Sequence, residues 1–516
     1  MLTTNELLRQ EWTGFRRPGR LVAMASAALV LLALGLLYAF GNHASCAGPC
    51  ATDPIGPNGS PVSDQFYFVH RDLPENGSIT VRLTSMTGTI TYPPPHHDQI
   101  VPGLVPWAKA GIIIKDGVRQ GSSYAALMLT GGHGVRMQYA YDHDIAGSGH
   151  RGVSAQSPRW LRLARSGDTV TGFESADGEH WAKVGTAKLP GLPGTVQVGL
   201  FATSPGDLTL RRTGLGGATE QVRFTQAVGS FDNISLDGAS GAGGWKGDAV
   251  GEMNRSDWEK HHKASGAIEQ GGTITVAGIG DIGPGATSGA RPAERALGGL
   301  SITLLIVIVV AVRFATSRYR REPAGGAALE RRVFVVRAAI VGAATFVTGL
   351  LSVATVILVG RMILQGNGVA VIGMTTLTGV RVTTGVAAAL ALSAVLAFAL
   401  GTILRRGVPA ILVAVAAIVV PYAVTTLPLL PDGLSQWLLR TTPAAGFTAQ
   451  QTLVEYPQVV AHYAPSAGYF PLPWWAGTAV LCAYAVVVTA LAVSRLPRSG
   501  EQARSTDRAE RGADWR

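Results

Sequence analysis

Residues 21–40 read LVAMASAALVLLALGLLYAF, an unbroken apolar run without a charged side chain. A membrane-crossing helix needs about 20 such residues, so Leu21–Phe40 reads as a span. Working outward, the chain turns polar at Asn42 and stays so to Arg295. The run ALGGLSITLLIVIVVAV, Ala296–Val312, restores the apolar pattern, with Arg313 at its end placed to snorkel to the interface. Ala338–Leu358, Thr384–Leu404, Pro409–Leu427 and Trp474–Ser494 follow. The expected fold class is an α-helical membrane protein of six transmembrane helices, with a large soluble block in its first loop.

Arginine placement gives the orientation, because short loops rich in Arg and Lys stay inside. Arg9, Arg16, Arg17 and Arg20 precede span one, and Arg318, Arg320, Arg321, Arg331, Arg332 and Arg337 follow span two. Arg405 and Arg406 follow span four, and the tail carries Arg495, Arg498, Arg504, Arg508, Arg511 and Arg516. The opposite short loops hold only Arg361, Arg381 and Arg440. Both termini are therefore expected in the cytoplasm, with residues 42–295 outside. The net charge of +10 is mostly this topology signal, and a nucleic-acid partner is not needed to explain it. The Arg-heavy, Lys-poor inner segments and Ala/Val-rich spans look bacterial, so the expected location is a bacterial plasma membrane. The Asn-x-Ser tripeptides at Asn58, Asn76, Asn233 and Asn254 are not read as glycosylated.

The segments divide as follows: 1–20 an inner amphipathic helix, 21–40 span one, 41–62 a tether, 63–238 a β-sandwich, 239–295 a β extension and linker, 296–495 spans two to six, and 496–516 an inner tail. In the first segment Leu8, Trp12 and Phe15 share one helical face, which suits a helix lying on the inner membrane surface. In the soluble block Ile79, Val81 and Leu83 alternate with polar neighbours. Ile112–Lys115, Tyr124–Leu129, Val135–Tyr141, Trp160–Ala164, Val170–Phe173 and Val196–Ala202 are further short runs between turn residues. Such spacing predicts an all-β sandwich. The pattern breaks from about Gly238 to Gly271 and resumes over Gly272–Gly280.

Cys46 and Cys50 flank Ala-Gly-Pro just outside span one, where the compartment permits a small disulfide loop; two unpaired thiols remain an equal alternative. His43-Ala44-Ser45 has a cleavage-site flavour, but span one is longer than a signal core, so an uncleaved anchor is expected. No Asp, Glu, Lys or His falls within the six runs, and all 11 histidines lie outside them. Ion- and proton-coupled transporters generally place ionisable groups there. The chain has no Gly-Lys dipeptide and so no phosphate-binding loop.

Several local stretches resemble permease subunits of the type-2 ABC exporter family. Thr316-Ser317-Arg318-Tyr319-Arg320 after span two is similar to that family's Thr-Ser-Glu-Tyr-Arg stretch. Arg331-Arg332-Val333-Phe334, Gly401-Thr402-Ile403-Leu404-Arg405, Pro421 and Pro443 also match in order. The resemblance implies a transported substrate and a separate ATPase subunit that binds ATP and Mg. It also implies a homodimer or paired permease, and coupling to the ATPase through Thr316, Ser317, Tyr319 and Arg320. No catalytic residue or cofactor is expected in this chain. Arg318 stands where the family has Glu, and Glu322-Pro323-Ala324-Gly325-Gly326 makes a poor helix.

The soluble block resembles the concanavalin A-like jelly-roll family in Trp160-Leu161-Arg162-Leu163, Gly167, Phe173, Ser175, Asp177, Gly178 and Trp181. Lys109–Ile114 and Phe231-Asp232-Asn233 fit the same pattern. That resemblance implies two antiparallel sheets with a concave face, which in relatives often binds glycans. Trp107, Tyr124, Tyr139 and Tyr141 are the candidate glycan platforms, with Trp160 and Trp181 beside them; core packing is the competing reading for each.

His96-His97-Asp98 and Asp142-His143-Asp144 have metal-ligand chemistry, but neighbours on a strand point to opposite faces, so no metal site is expected. Asp142, Asp144, Glu174, Asp177 and Glu179 include no motif-marked pair for glycoside hydrolysis. Trp437 and Trp474-Trp475 sit where an aromatic belt is expected. The leading expectation is an exporter permease, in contact with the bilayer and with an extracellular glycan as a further partner. The alternative is a membrane-anchored glycan-binding or sensing protein without transport.

Overall fold

The computed structural model describes residues 3–44, 53–92, 98–149, 152–212, 218–238, 244–251, 264–285, 293–317, 331–369, 371–427 and 429–496. Among them, six helices are long and apolar enough to cross a membrane: Pro18–Gly41, Glu294–Thr316, Arg331–Gly366, Thr376–Leu404, Gly407–Thr426 and Trp474–Ser494. They are spans one to six of a multi-pass membrane protein. Spans two and four are the most enclosed, and spans one and six the least.

The third span differs most from the sequence reading. Ala338–Leu358 was its apolar centre, but the helix runs for 36 residues. At 1.5 Å per residue it is about 54 Å long, against roughly 30 Å of hydrocarbon. Its ends carry Arg331, Arg332, Arg337 and Arg361, which broke the apolar run without breaking the helix. Span two likewise begins earlier than expected, at Glu294, so a carboxylate does stand at its start. In span five, Val415–Val419 is a π turn just before Pro421. A proline ring clashes with the preceding turn of a regular helix, and a widened turn relieves it.

Span one opens on Pro18, whose missing N–H costs nothing there. Before it lies a helix over Thr4–Phe15, started by a capping box between Thr3 and Glu6. On the face shared by Leu8, Trp12 and Phe15, Phe15 is buried while Leu8 and Trp12 are 47% and 40% exposed. Glu11, one turn before Phe15, is the second buried residue.

Between spans five and six the chain forms a short helix, Asp432–Thr441, and a buried 3₁₀ stretch, Pro443–Gln450. Irregular backbone is tolerated at membrane depth only when enclosed by protein, and every residue of Pro443–Gln450 is buried. Gly477 of span six permits the close approach, since a Cβ there would overlap the Ala445 carbonyl oxygen.

The soluble block is a β-sandwich. Its strands are β1 Val62–Asp64, β2 Phe66–Leu73, β3 Asn76–Thr91, β4 Ile100–Pro102, β5 Lys109–Lys115, β6 Tyr124–Thr130 and β7 Gly134–Tyr139. Then come β8 His143–Ala146, β9 Arg159–Ser166, β10 Thr169–Ser175, β11 Ala182–Lys188, β12 Val196–Thr203, β13 Asp207–Arg212 and β14 Ala218–Arg223. The last are β15 Thr225–Asp237, β16 Lys246–Val250, β17 Gly266–Gln270, β18 Thr273–Gly278 and β19 Ile282–Pro284. One sheet runs β11-β10-β9-β3-β15-β18-β17 with β4 on β3, the other β16-β2-β12-β5-β6-β7-β8. Pairing is antiparallel throughout the described strands. β16 and β17 fall where the sequence pattern breaks, and β16 to β18 carry both sheets past Gly238 to Gly278. β1 pairs with β19, Val62 opposite Pro284, so the segments entering and leaving the sandwich are neighbours.

The core between the sheets contains Ile79, Val81, Leu83, Ile112, Ile114, Leu127, Leu161, Leu163, Val198 and Phe231. A second cluster covers the other face of the seven-stranded sheet: Phe66, Phe68, Ile113, Tyr124, Met128, Tyr141 and Phe201, under Val62, Val250 and Ile282. β5 and β6 are consequently buried on both faces.

Candidate functional site

Two joints hold the chemistry, one at each end of the bundle. At the end carrying both termini, Thr316 and Ser317 close span two. The Thr316 hydroxyl donates to the Val312 carbonyl at 3.0 Å, so it is spent within its own helix. Ser317 Oγ donates to the Phe314 carbonyl at 2.8 Å and accepts from Arg337 Nη2 at 2.9 Å. Arg337 is 2% exposed. Its Nη2 also donates to the Phe314 carbonyl at 2.5 Å, its guanidinium lies 4.1 Å from the Phe314 ring centre, and its Nε is 3.4 Å from Glu11 Oε2. Phe15 meets Phe314 edge-on at 5.2 Å. The N-terminal helix, the end of span two and the start of span three are thereby joined through one buried arginine. Arg331 Nε donates to the Leu496 carbonyl at 3.2 Å and adds the end of span six. Tyr319 and Arg320 of the expected coupling stretch, with Arg318 and residues 322–326, lie outside the described residues, as do Cys46, Cys50, His96 and His97.

In the sandwich, three of the four platform candidates are buried, Trp107 at 6% exposure among them. Tyr124 is 0% and Tyr141 2% exposed, their rings edge to face at 4.7 Å. Lys115 Nζ donates to Asp64 Oδ2 at 2.7 Å, Tyr141 Oη at 3.0 Å and the Ser122 carbonyl at 3.2 Å. Asp64 Oδ2 also accepts from Gly121 N–H and the Tyr141 hydroxyl, each at 2.7 Å. Burial pushes the Tyr124 and Tyr141 hydroxyls up and Lys115 down from their ordinary values, with Asp64 opposing the change at Lys115. A second buried lysine, Lys109, pairs with Asp281 and donates to the Ile282 carbonyl at 2.7 Å. These rings and charges knit the sheet to β1 and β19 and offer no face to a ligand. Trp107 has His133 stacked at 4.1 Å and Arg136 at 5.7 Å. Tyr139 stays half-buried with His143 stacked at 4.4 Å. Gly178 lies against the Trp160 ring, and Arg162 sits 4.1 Å from the Trp181 ring centre.

The Asp142–Asp144 triplet is divided. Asp142 Oδ1 meets His143 Nδ1 at 2.6 Å, while Asp144 pairs with Arg136 and accepts from Gln138 at 3.1 Å. Glu174 accepts from Ser148 N–H and Oγ, both at 2.5 Å. Asp177 caps its own turn, and hydrogen bonds from the His180 backbone and ring hold its carboxyl well below the usual range.

At the sandwich end, Glu294 Oε1 and Oε2 accept from the N–H and hydroxyl of Thr452, at 3.0 Å and 2.5 Å. Arg381 Nη2 of span four donates to the Gln451 carbonyl at 2.5 Å, under Trp474. Gln458 Nε2 donates to the Asp142 carbonyl at 3.4 Å, and His462 sits 3.5 Å from Glu220 and 3.1 Å from Asp432. A cleft of about 530 Å³ opens between the sandwich and this segment, lined among others by Asp53, Gln65, Glu220, Arg295, His462 and Tyr469. Trp437, Trp474 and Trp475 are exposed. Sequence reading took Arg337 only as a topology charge and Lys109 and Lys115 only as parts of strand runs, and it left out Glu294; the available signal for the two lysines was their phase with Ile113 on β5.

No family model matches the chain, and no curated protein matches it. Among solved structures, it is similar to a functionally unknown protein from Saccharomyces cerevisiae, with 16% identity over 34% of this chain and 76% of that one, TM-score 0.19. It is also similar to a GH43 protein from Bacillus licheniformis, with 15% identity over 32% and 28%, TM-score 0.20. A third is the metal-free lectin I-B4 from Griffonia simplicifolia, with 11% identity over 40% and 90%, TM-score 0.17. At such scores they lend no weight to any argument, and the sandwich stands on its own sheet order.

Proposed function

We propose that the chain is the membrane-spanning subunit of a bacterial ABC-type exporter, paired with a second such subunit and driven by a separate ATPase that binds ATP and Mg. The observation that carries this reading is the Arg337 joint. Thr316 and Ser317, two of the four residues through which the resemblance implies coupling to an ATPase, end span two at this joint, and the sequence continues from them into the segment 318–330. A push on that segment reaches span two through Ser317, span three through Arg337 and the N-terminal helix through Glu11. A chain without its own phosphate-binding loop needs such an input.

The glycan-receptor alternative has less support. The expected binding face carries Phe66, Phe68, Met128 and Phe201 packed under the chain's own β1 and β19. Co-purification decides between the two. The solubilised full chain should recover an ATPase with a phosphate-binding loop, and replacing residues 318–330 by a Gly/Ser linker should abolish recovery. Isolation of the intact chain with no ATPase, even after cross-linking in the membrane, would sink the exporter reading.

A further inference from the structure

A second, smaller cavity of about 140 Å³ lies where three parts of the chain meet. The lead into the sandwich supplies Asp53 and Asn58, and the turn between β7 and β8 supplies Asp142. The link between spans three and four reaches the cavity at residues 372–373. The segment before span six supplies three rings, Tyr456, Tyr463 and Tyr469.

Those rings stand on a loop that is tied at its base. The Gln451 side chain accepts from Phe470 N–H at 2.9 Å and donates to the Leu453 carbonyl at 2.8 Å. The Tyr463 hydroxyl lies 2.9 Å from the Tyr456 carbonyl and 3.0 Å from that of Val459, so it is engaged with the backbone of its own loop. The Tyr463 and Tyr469 rings meet at 86° with centres 4.8 Å apart, which makes a corner of two aromatic walls. Burial pushes the Tyr456 hydroxyl up from its ordinary value, and the Asp142 carboxylate adds to that push across the cavity.

The charged lining is all negative. Asp53 and Asp142 line the cavity, and no Lys, Arg or His does among the described residues. Asp142 Oδ1 meets His143 Nδ1 at 2.6 Å, and Oδ2 accepts from Asn58 Nδ2 at a long 3.4 Å. The hydroxyl of Thr452, which also lines the cavity, is spent on Glu294. A neutral sugar needs several donors, and those of Asn58, Thr452 and Tyr463 are already committed. An anion meets two carboxylates. A positive group gains from the carboxylate charge and from the ring faces together.

We infer that this cavity binds a small organic ammonium, a quaternary or protonated amine, with Tyr456, Tyr463 and Tyr469 as its walls and Asp142 as its counter-charge. A volume of 140 Å³ holds on the order of five waters. That is the bulk of an ammonium head with a short tail, and too little for a sugar chain. The site does not depend on the exporter reading. Its occupant is either a free solute or the ammonium head of a lipid, and the test separates the two.

The full chain is placed in phosphatidylglycerol nanodiscs, whose lipid carries no ammonium, and titrated with choline chloride by calorimetry at constant ionic strength. Saturable binding in the millimolar range or tighter is expected. The uncharged tert-butyl analogue of choline should bind at least about tenfold more weakly. Asp142→Asn and Tyr456→Ala should each weaken choline about tenfold, whereas Tyr456→Phe, which keeps the ring, should not. Asp142→Asn and Tyr456→Phe preserve shape, so a fold lost in Tyr456→Ala leaves the test standing on them. Absence of saturable binding with choline, tetramethylammonium and ethanolamine overturns the site. So does equal binding of the uncharged analogue, or choline binding that Asp142→Asn leaves unchanged. Repetition in phosphatidylcholine nanodiscs assigns the source: choline binding lost there supports a lipid head in the cavity, and choline binding retained supports a free solute.

Discussion

Two buried ion pairs do opposite jobs in this molecule. Lys115–Asp64 lies within the sandwich, both side chains fully enclosed; Tyr141 and Ser122 accept further bonds from Lys115, and Gly121 N–H and Tyr141 donate to Asp64 Oδ2, while Asp64 Oδ1 has no hydrogen-bond partner among the described residues. It fastens β1 over a sheet face that is already apolar, and so closes that face. Arg337–Glu11 lies at the end of the bundle and joins the N-terminal helix to spans two and three beside the Phe15–Phe314 ring contact. The first pair removes a surface from use; the second creates a place where motion can be passed on. Burial alone does not mark a functional charge. What its removal would disconnect does.

Substitution can break or sharpen that contrast. Lys115→Ala leaves Asp64 charged in an enclosed site and should cost roughly 3–5 kcal/mol of sandwich stability, read by pulse proteolysis of the full chain in urea. Lys115→Met combined with Asp64→Leu should recover most of that loss; a double variant as weak as the single one would show that the charges themselves are required. Arg337→Ala should cost less, about 2–3 kcal/mol, because Glu11 regains water once the N-terminal helix lifts. Its signature is local: a thiol label at Glu6→Cys should gain mobility while the sandwich melts unchanged.

Thr3→Ala removes the cap of the same helix and should loosen it by about 1 kcal/mol, visible as faster exchange over its first turn. The smallest effect belongs to Asp177. Its folded carboxyl is held below the unfolded value of 3.8, so its contribution is present above that pH and lost as pH falls through the folded value. The 175–180 turn should stay closed at pH 4 and open only in stronger acid, monitored by the His180 ring signals.

The spans were legible because an apolar run of that length has few other uses, and span six was read to its ends. Where charge enters a helix the reading failed: span three continues through Arg331–Arg337, since helices tolerate charges that an apolar window does not. Glu11 of the N-terminal helix carried no signal of its own, since only its distant partner Arg337 makes it interior. Alternation exposed the central strands, but β16 and β17 are edge strands with most side chains exposed, so they carry no apolar signal. For Tyr124 and Tyr141 core packing was the stronger reading beside the platform one, and both are interior. The phase of Lys109 and Lys115 with Ile113 was a clue to a buried polar face, and it went unused because lysine is rarely enclosed.

The pairing of β1 with β19 has one more consequence. The sandwich begins and ends at the same corner, and spans one and two, which precede and follow it in the sequence, touch where Thr303 Oγ1 donates to the Ala27 carbonyl. A module with both leads at one corner works as a cassette: it can be lifted out, enlarged or exchanged without re-threading the helices beneath. A short hairpin in its place would leave the register of the first two spans untouched, and a foreign domain with adjacent termini would plug into the same socket.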